Sequence, residues 1–101
     1  MKDNVVKDKS LEFAVRIVNL YKFLVNEQKE FVMSKQILRS GTSIGANIRE
    51  AEQAQSRADF INKLNIALKE ANETEYWLEL LIRTEYITRE QYESINNDST
   101  E

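Results

Sequence analysis

Four polar side chains stand where chemistry could begin: Ser43, Asn47 and Glu50 within one short run, and Glu73 further along. Spacings of four and three set the first three in a row along one face of a helix. A hydroxyl, an amide and a carboxylate facing inward together could hold a small ligand or an ion. The same row also suits a hydrogen-bond network that fixes helix register or subunit packing, because buried polar groups have to be satisfied. Glu73 sits between Ile66, Trp77 and Leu80 on a second helical segment. A partly desolvated carboxylate there needs a partner, of which Asn47, Arg16 and Lys63 are suitable by type.

Enzyme chemistry has little to work with. The chain has neither cysteine nor histidine, which removes thiolate nucleophiles, disulfides, thiolate zinc sites and the commonest general base and metal ligand. Di-iron bundles use Glu together with Glu-x-x-His, and the run Glu70, Glu73, Glu75 and Glu79 points in several directions around its helix. No phosphate-binding glycine loop, dinucleotide fingerprint or nucleophile elbow occurs. The expectation is a non-enzymatic protein with no catalytic residue, no metal and no cofactor.

A second set of residues points to phosphate. Lys35, Arg39, Arg49, Arg57 and Lys63 are the cations on which binding of RNA or DNA would rest. The net charge is −3, and residues 1–69 carry twelve Lys/Arg against eight Asp/Glu while residues 70–101 carry two against nine. Phosphate binding calls for clustered cations that release counterions, and no dense cluster is present. Ordinary helix-surface charge accounts for these five residues equally simply.

The elements that must position these groups are helices. Proline is absent and glycine occurs only at Gly41 and Gly45, so common helix breakers are nearly missing over a length suited to one domain, residues 1–101. The first helix is predicted from about Asp8 or Ser10 to Gln28, with Phe13, Ile17, Leu20 and Leu24 as its core stripe. The second starts at Ser34 as N-cap and ends near Gln55, burying Ile37, Gly41, Ile44, Ile48 and Ala51. The third follows a Ser56–Asp59 cap and runs to about Thr84, with Phe60, Leu64, Ala67, Ala71, Thr74, Leu78 and Leu81 on one face. The fourth begins after Thr88, which forms a capping box with Gln91. Gly41 and Gly45 each cost ~1 kcal/mol in a helix interior, so close approach by a neighbouring helix is expected at both. The predicted class is all-α: an antiparallel up-and-down four-helix bundle whose fourth helix is short or truncated. A short last helix leaves a groove, closed by another subunit or by chain running past Glu101; the latter is favoured.

Taken in order, Ser43-Ile44-Gly45-Ala46-Asn47-Ile48-Arg49-Glu50, Ser56-x-x-Asp59-Phe60, Leu64-Asn65-Ile66-Ala67 and Glu73-x-Glu75-x-x-Leu78 resemble the four-helix-bundle family encoded within intervening sequences of 23S ribosomal RNA genes. Proteins similar to this are sometimes described as ribosomal. The resemblance covers roughly residues 10 to 90. It extends to the accessory variability determinant of diversity-generating retroelements, a pentameric barrel that binds nucleic acid and a reverse transcriptase. The resemblance implies a homo-oligomer, a pentamer by family. The chain departs from the family pattern at Ala51 and Glu85, where glycine is common, and in its acidic balance.

These features together predict a non-enzymatic oligomeric assembly or interaction protein; the alternative is a nucleic-acid-binding accessory protein associated with rRNA or a reverse transcriptase. The expected partner is another copy of the chain, with RNA or DNA as the second candidate. MKDNVVKDKS lacks the apolar core of a signal peptide and no apolar run nears the ~20 residues that span a bilayer. A cytoplasmic location with no membrane association is therefore expected.

Overall fold

The computed structural model describes residues 2–100, with side chains described from 5 to 97. It contains α1 (Lys2–Asn26), α2 (Met33–Glu52), α3 (Arg57–Arg83) and α4 (Arg89–Thr100), and no strand occurs among the described residues. Consecutive helices run antiparallel, as the short connections require. The start of α1 meets the end of α2 through Lys7 and Glu52, and the end of α2 meets the start of α3 through Glu50 and Lys63. The molecule is a small helical bundle, 43 × 24 × 20 Å along its principal axes.

The core follows the apolar stripes. Phe13, Ile17, Leu20 and Leu24 of α1 meet Ile37 of α2, Leu78 and Leu81 of α3, and Ile95 of α4. Ile87, in the α3–α4 connection, joins the same cluster. α2 lies between α1 and α3 and packs on both, whereas α4 bridges α1 and α3. Close approach of α1 to α2 depends on glycine. A Cβ at Gly41 would stand 2.8 Å from both branch carbons of Ile17, so only hydrogen fits there. Gly45 is less crowded, with Ser10 Oγ at 3.3 Å from the position of a Cβ.

The helix ends show which local signals act. Ser56 Oγ accepts from the Asp59 N–H at 3.1 Å. Thr88 and Gln91 form the reciprocal box, with Gln91 N–H donating to Thr88 Oγ1 at 3.1 Å and Thr88 N–H to Gln91 Oε1 at 2.8 Å. At α2 the expected Ser34 cap is replaced. The helix begins at Met33, so Ser34 lies inside the first turn, and the buried Glu30 carboxylate caps it by accepting from Val32, Met33 and Ser34 N–H at 3.2, 3.0 and 2.7 Å. A carboxylate offers more lone pairs than a hydroxyl and favours the positive end of the helix dipole. α1 also starts earlier than its stripe indicated, at Lys2, and α2 ends at Glu52, before Gln55.

α3 ends in a Schellman turn: Tyr86 N–H donates to Leu81 O at 2.9 Å and Glu85 N–H to Ile82 O at 3.1 Å. Glu85 is thereby held at φ 67°, the left-handed conformation that glycine adopts most easily.

Candidate functional site

The four polar residues of the first candidate site lie along the junction of α2 and α3, and they do not converge on one another. Ser43 Oγ donates to the Arg39 carbonyl at 2.6 Å, and Asn47 Nδ2 donates to the Ser43 carbonyl at 2.8 Å. Both bonds return to the helix's own backbone, as short polar side chains within helices do. Glu50 turns across to Lys63, 2.9 Å away. Glu73 joins Arg39 and also accepts from Trp77 Nε1 at 3.2 Å. The donor that Glu73 needed is thus Arg39 with Trp77, not Asn47, Arg16 or Lys63.

Arg39 is the hub of this arrangement. Its guanidinium spans Glu70, at 3.2 Å, and Glu73 on the facing helix. The fork geometry of arginine suits two carboxylates placed three residues apart on α3. The hydrogen bond from Arg39, followed by that from Trp77, holds the Glu73 carboxyl below the usual carboxylate range. Reciprocally, the Glu73 hydrogen bond raises Arg39, and Glu50 raises Lys63. The chemistry is mutual neutralisation across a helix–helix seam.

This divides the five phosphate-binding candidates. Arg39 and Lys63 are occupied by carboxylates of the same chain. Lys35, Arg49 and Arg57 are exposed and make no ion pair among the described residues.

A polar contact that the sequence did not single out lies deeper. Ser40 and Thr74 are fully buried, and their hydroxyls meet across α2 and α3 at 2.9 Å. Thr74 Oγ1 also lies 2.8 Å from the Glu70 carbonyl and Ser40 Oγ 3.5 Å from the Ile37 carbonyl. The available signal was Thr74 itself, a hydroxyl on an otherwise apolar face. Three surface hollows lie elsewhere and none of them is lined by Ser43, Asn47, Glu50 or Glu73: one between α1 and α4, one under the α3–α4 connection and one between α1 and α2.

The larger unexplained feature is apolar. Residues eighteen apart share the same direction on a helix, since eighteen residues make five turns. Leu78 is fully buried, yet Phe60, eighteen residues before it, is 42% exposed. Ile82 is half-buried against the core, and Leu64, eighteen before it, is 39% exposed. Among the described residues, the twelve of α4 reach roughly 18 Å along the roughly 40 Å of α3 and do not cover this end of it. Phe60 and Leu64, which the period places on the same face as Leu78, are on the surface, together with Ile61 and Leu68.

An all-α bundle with a glycine-dependent α1–α2 seam and these ordered motifs can be compared with known proteins. The sequence profile described as 23S rRNA-intervening sequence protein matches residues 2–101. The chain belongs to that family. Among solved structures, a protein of unknown function from the S23 ribosomal protein family of Bacteroides thetaiotaomicron VPI-5482 is 98% identical, with a TM-score of 0.94. The match covers 99% of this chain and 86% of that one. No curated protein matches. Within the 23S rRNA-intervening sequence family, this chain and that neighbour share one fold. No helix of the described residues is long and apolar enough to cross a membrane.

Proposed function

We propose that this 23S rRNA-intervening sequence protein is a non-enzymatic assembly protein that works as a homo-oligomer, with five subunits as the family resemblance implies. One observation carries the reading: the face of α3 that is buried at Leu78 is open at Phe60 and Leu64. Contiguous exposed apolar side chains of this size mark association surfaces. Leu11 and Val15 on α1 add to the exposed apolar area. In this reading Ser43, Asn47, Glu50 and Glu73 serve the α2–α3 seam and subunit packing rather than a ligand. Size-exclusion chromatography with light scattering at micromolar concentration tests it. A multiple of 11.8 kDa is expected; a single species at the monomer mass rejects it.

Binding of RNA or DNA is the second reading, supported by Lys35, Arg49 and Arg57, which are exposed and make no ion pair among the described residues. Binding of this kind weakens steeply with salt, because phosphate contacts release counterions. Its test is a fluorescence-anisotropy titration with labelled rRNA fragments at about 50 mM salt, where even weak phosphate-driven binding shows. No binding there, or binding insensitive to salt, removes this reading without touching the first.

A further inference from the structure

We infer that the connection between α1 and α2 is a contact point for an anionic lipid surface. Phe31 and Val32 are consecutive in that connection and are 51% and 73% exposed, the second being the highest value among the large hydrophobic residues described. Local structure does not call for them. An apolar residue just before an N-cap often packs on the fourth residue of its helix. With Val32 as the N-cap of α2 and Met33 its first residue, that fourth position is the polar Gln36. The pair also stands apart from the exposed side chains of α1 and α3 that support association of copies, at the end of the bundle where α1 stops and α2 starts.

This end is firmly built. Glu30 N–H donates to the Leu24 carbonyl at 2.9 Å, and Gln28 Nε2 donates to the Tyr86 carbonyl at 3.0 Å. The Glu30 carboxylate accepts from Val32, Met33 and Ser34 N–H. Donors that a helix start otherwise shows to water are thus already bonded, and the tip can enter a water-poor layer without leaving them bare. Lys29 and Lys35 flank the apolar pair, are exposed and make no ion pair among the described residues. Glu27 and Glu85 are exposed carboxylates at the same end, so the apolar pair supplies most of the hold and the lysines select the sign of the surface. A bilayer interface offers both complements: an acyl boundary for the carbon and anionic headgroups for the ammonium groups. Base stacking suits the tip less, because valine has no ring face to offer. No helix of the described residues is long enough to span, but surface contact needs only a few side chains.

Cosedimentation with vesicles tests the inference, comparing pure phosphatidylcholine with a mixture of phosphatidylcholine and phosphatidylglycerol at low salt. The parent is expected to bind the anionic vesicles and to bind the neutral ones several-fold more weakly. Phe31→Ser with Val32→Ser should weaken binding by about tenfold or more. Lys29→Gln with Lys35→Gln should lower binding to the anionic vesicles to the level of the neutral ones. All four side chains are exposed, so both variants should keep the helical circular dichroism of the parent; if the serine pair loses it, Phe31→Ala alone is measured in its place. A parent that sediments with neither kind of vesicle overturns the inference, as does one that ignores lipid charge or a serine variant that binds like the parent. A folded serine variant of lower mass than the parent by light scattering assigns the tip to contact between copies, and one that loses only RNA binding assigns it to nucleic acid; either result overturns the lipid contact.

Discussion

Replacing Gly41 with alanine is expected to destabilise the bundle, although alanine is the better helix former. The added methyl would lie 2.8 Å from Ile17 Cγ1, 2.8 Å from Cγ2 and 3.2 Å from Cβ. Carbon atoms rest comfortably at about 3.5–4.0 Å, so Ile17 or the whole of α1 must retreat by roughly 1 Å. Ile17 has no exposed surface and, being β-branched, few rotamers to escape into. Overpacking of this kind costs about 1–3 kcal/mol, against which the gain in helix propensity offsets about 1 kcal/mol. The net loss should be up to about 2 kcal/mol, a fall in Tm of up to roughly 15 °C for a domain of this size. Gly45→Ala is the internal control. Its methyl meets only Ser10, at 3.3–3.5 Å, so the propensity gain should leave stability within about 0.5 kcal/mol of the parent or above it. Thermal and urea unfolding followed by circular dichroism, at one fixed protein concentration, measures both. In an Ile17→Ala background most of the Gly41→Ala penalty should vanish, because both branch carbons are gone and Cβ, at 3.2 Å, is what remains of the close contact. A Gly41→Ala protein at least as stable as Gly45→Ala would falsify the close-packing account of the α1–α2 seam.

Other perturbations follow from the same contacts. Glu85→Gly should stabilise by about 1 kcal/mol, read as a higher Tm, because glycine relieves the left-handed φ of 67° and removes an anion from the negative end of α3. Glu30→Ala should cost about 1–2 kcal/mol in urea unfolding, since three N–H groups at the start of α2 lose their acceptor. Thr74→Val should cost about 1–2 kcal/mol by leaving the Ser40 hydroxyl poorly bonded, and adding Ser40→Ala should recover part of that loss in the same assay. Arg39→Ala should cost less than about 1 kcal/mol near pH 7, because the pair is well exposed to water. Glu73 has a depressed pKa in the folded state, so its contribution is full above the unfolded carboxylate value and is lost as the pH falls through the folded value. The stability difference between parent and Arg39→Ala should therefore shrink on acidification below the ordinary carboxylate range. A difference that grows instead contradicts the pairing.

The sequence disclosed most where periodicity and burial coincide. Phe13, Ile17, Leu20 and Leu24 repeat at helical spacing and all four are core residues. The Ser56 and Thr88 caps are encoded within three or four residues, so they too were legible. The α2 cap was not. Ser34 has the right side chain in nearly the right place, but the carboxylate of Glu30, four residues upstream and just after a left-handed Lys29 (φ 56°), takes the cap, which residue type alone does not announce. Phe60 and Leu64 misled for a different reason. Helix period identifies the face a residue occupies, whereas burial depends on the length of the neighbour that covers it. The polar candidates show a third limit. Ser43 and Asn47 share a row with Glu50, yet each satisfies itself on the helix backbone, while Arg39, read as a phosphate ligand, reaches two carboxylates 31 and 34 positions away.

The position of α2 between its two sequence neighbours bears on how the chain folds. Both of its packing partners are joined to it by connections of four to six residues, so each helix pair closes with little loss of loop entropy. Chains with such local topology reach the native state in microseconds to milliseconds. During synthesis the α1–α2 hairpin can zip before α3 has emerged, and α3 then adds to a surface already formed. Docking of α4 on α1 brings together segments far apart in the chain, as Arg16 with Ser94, 78 positions on, shows. With the two local pairs formed first, that contact is expected to close last.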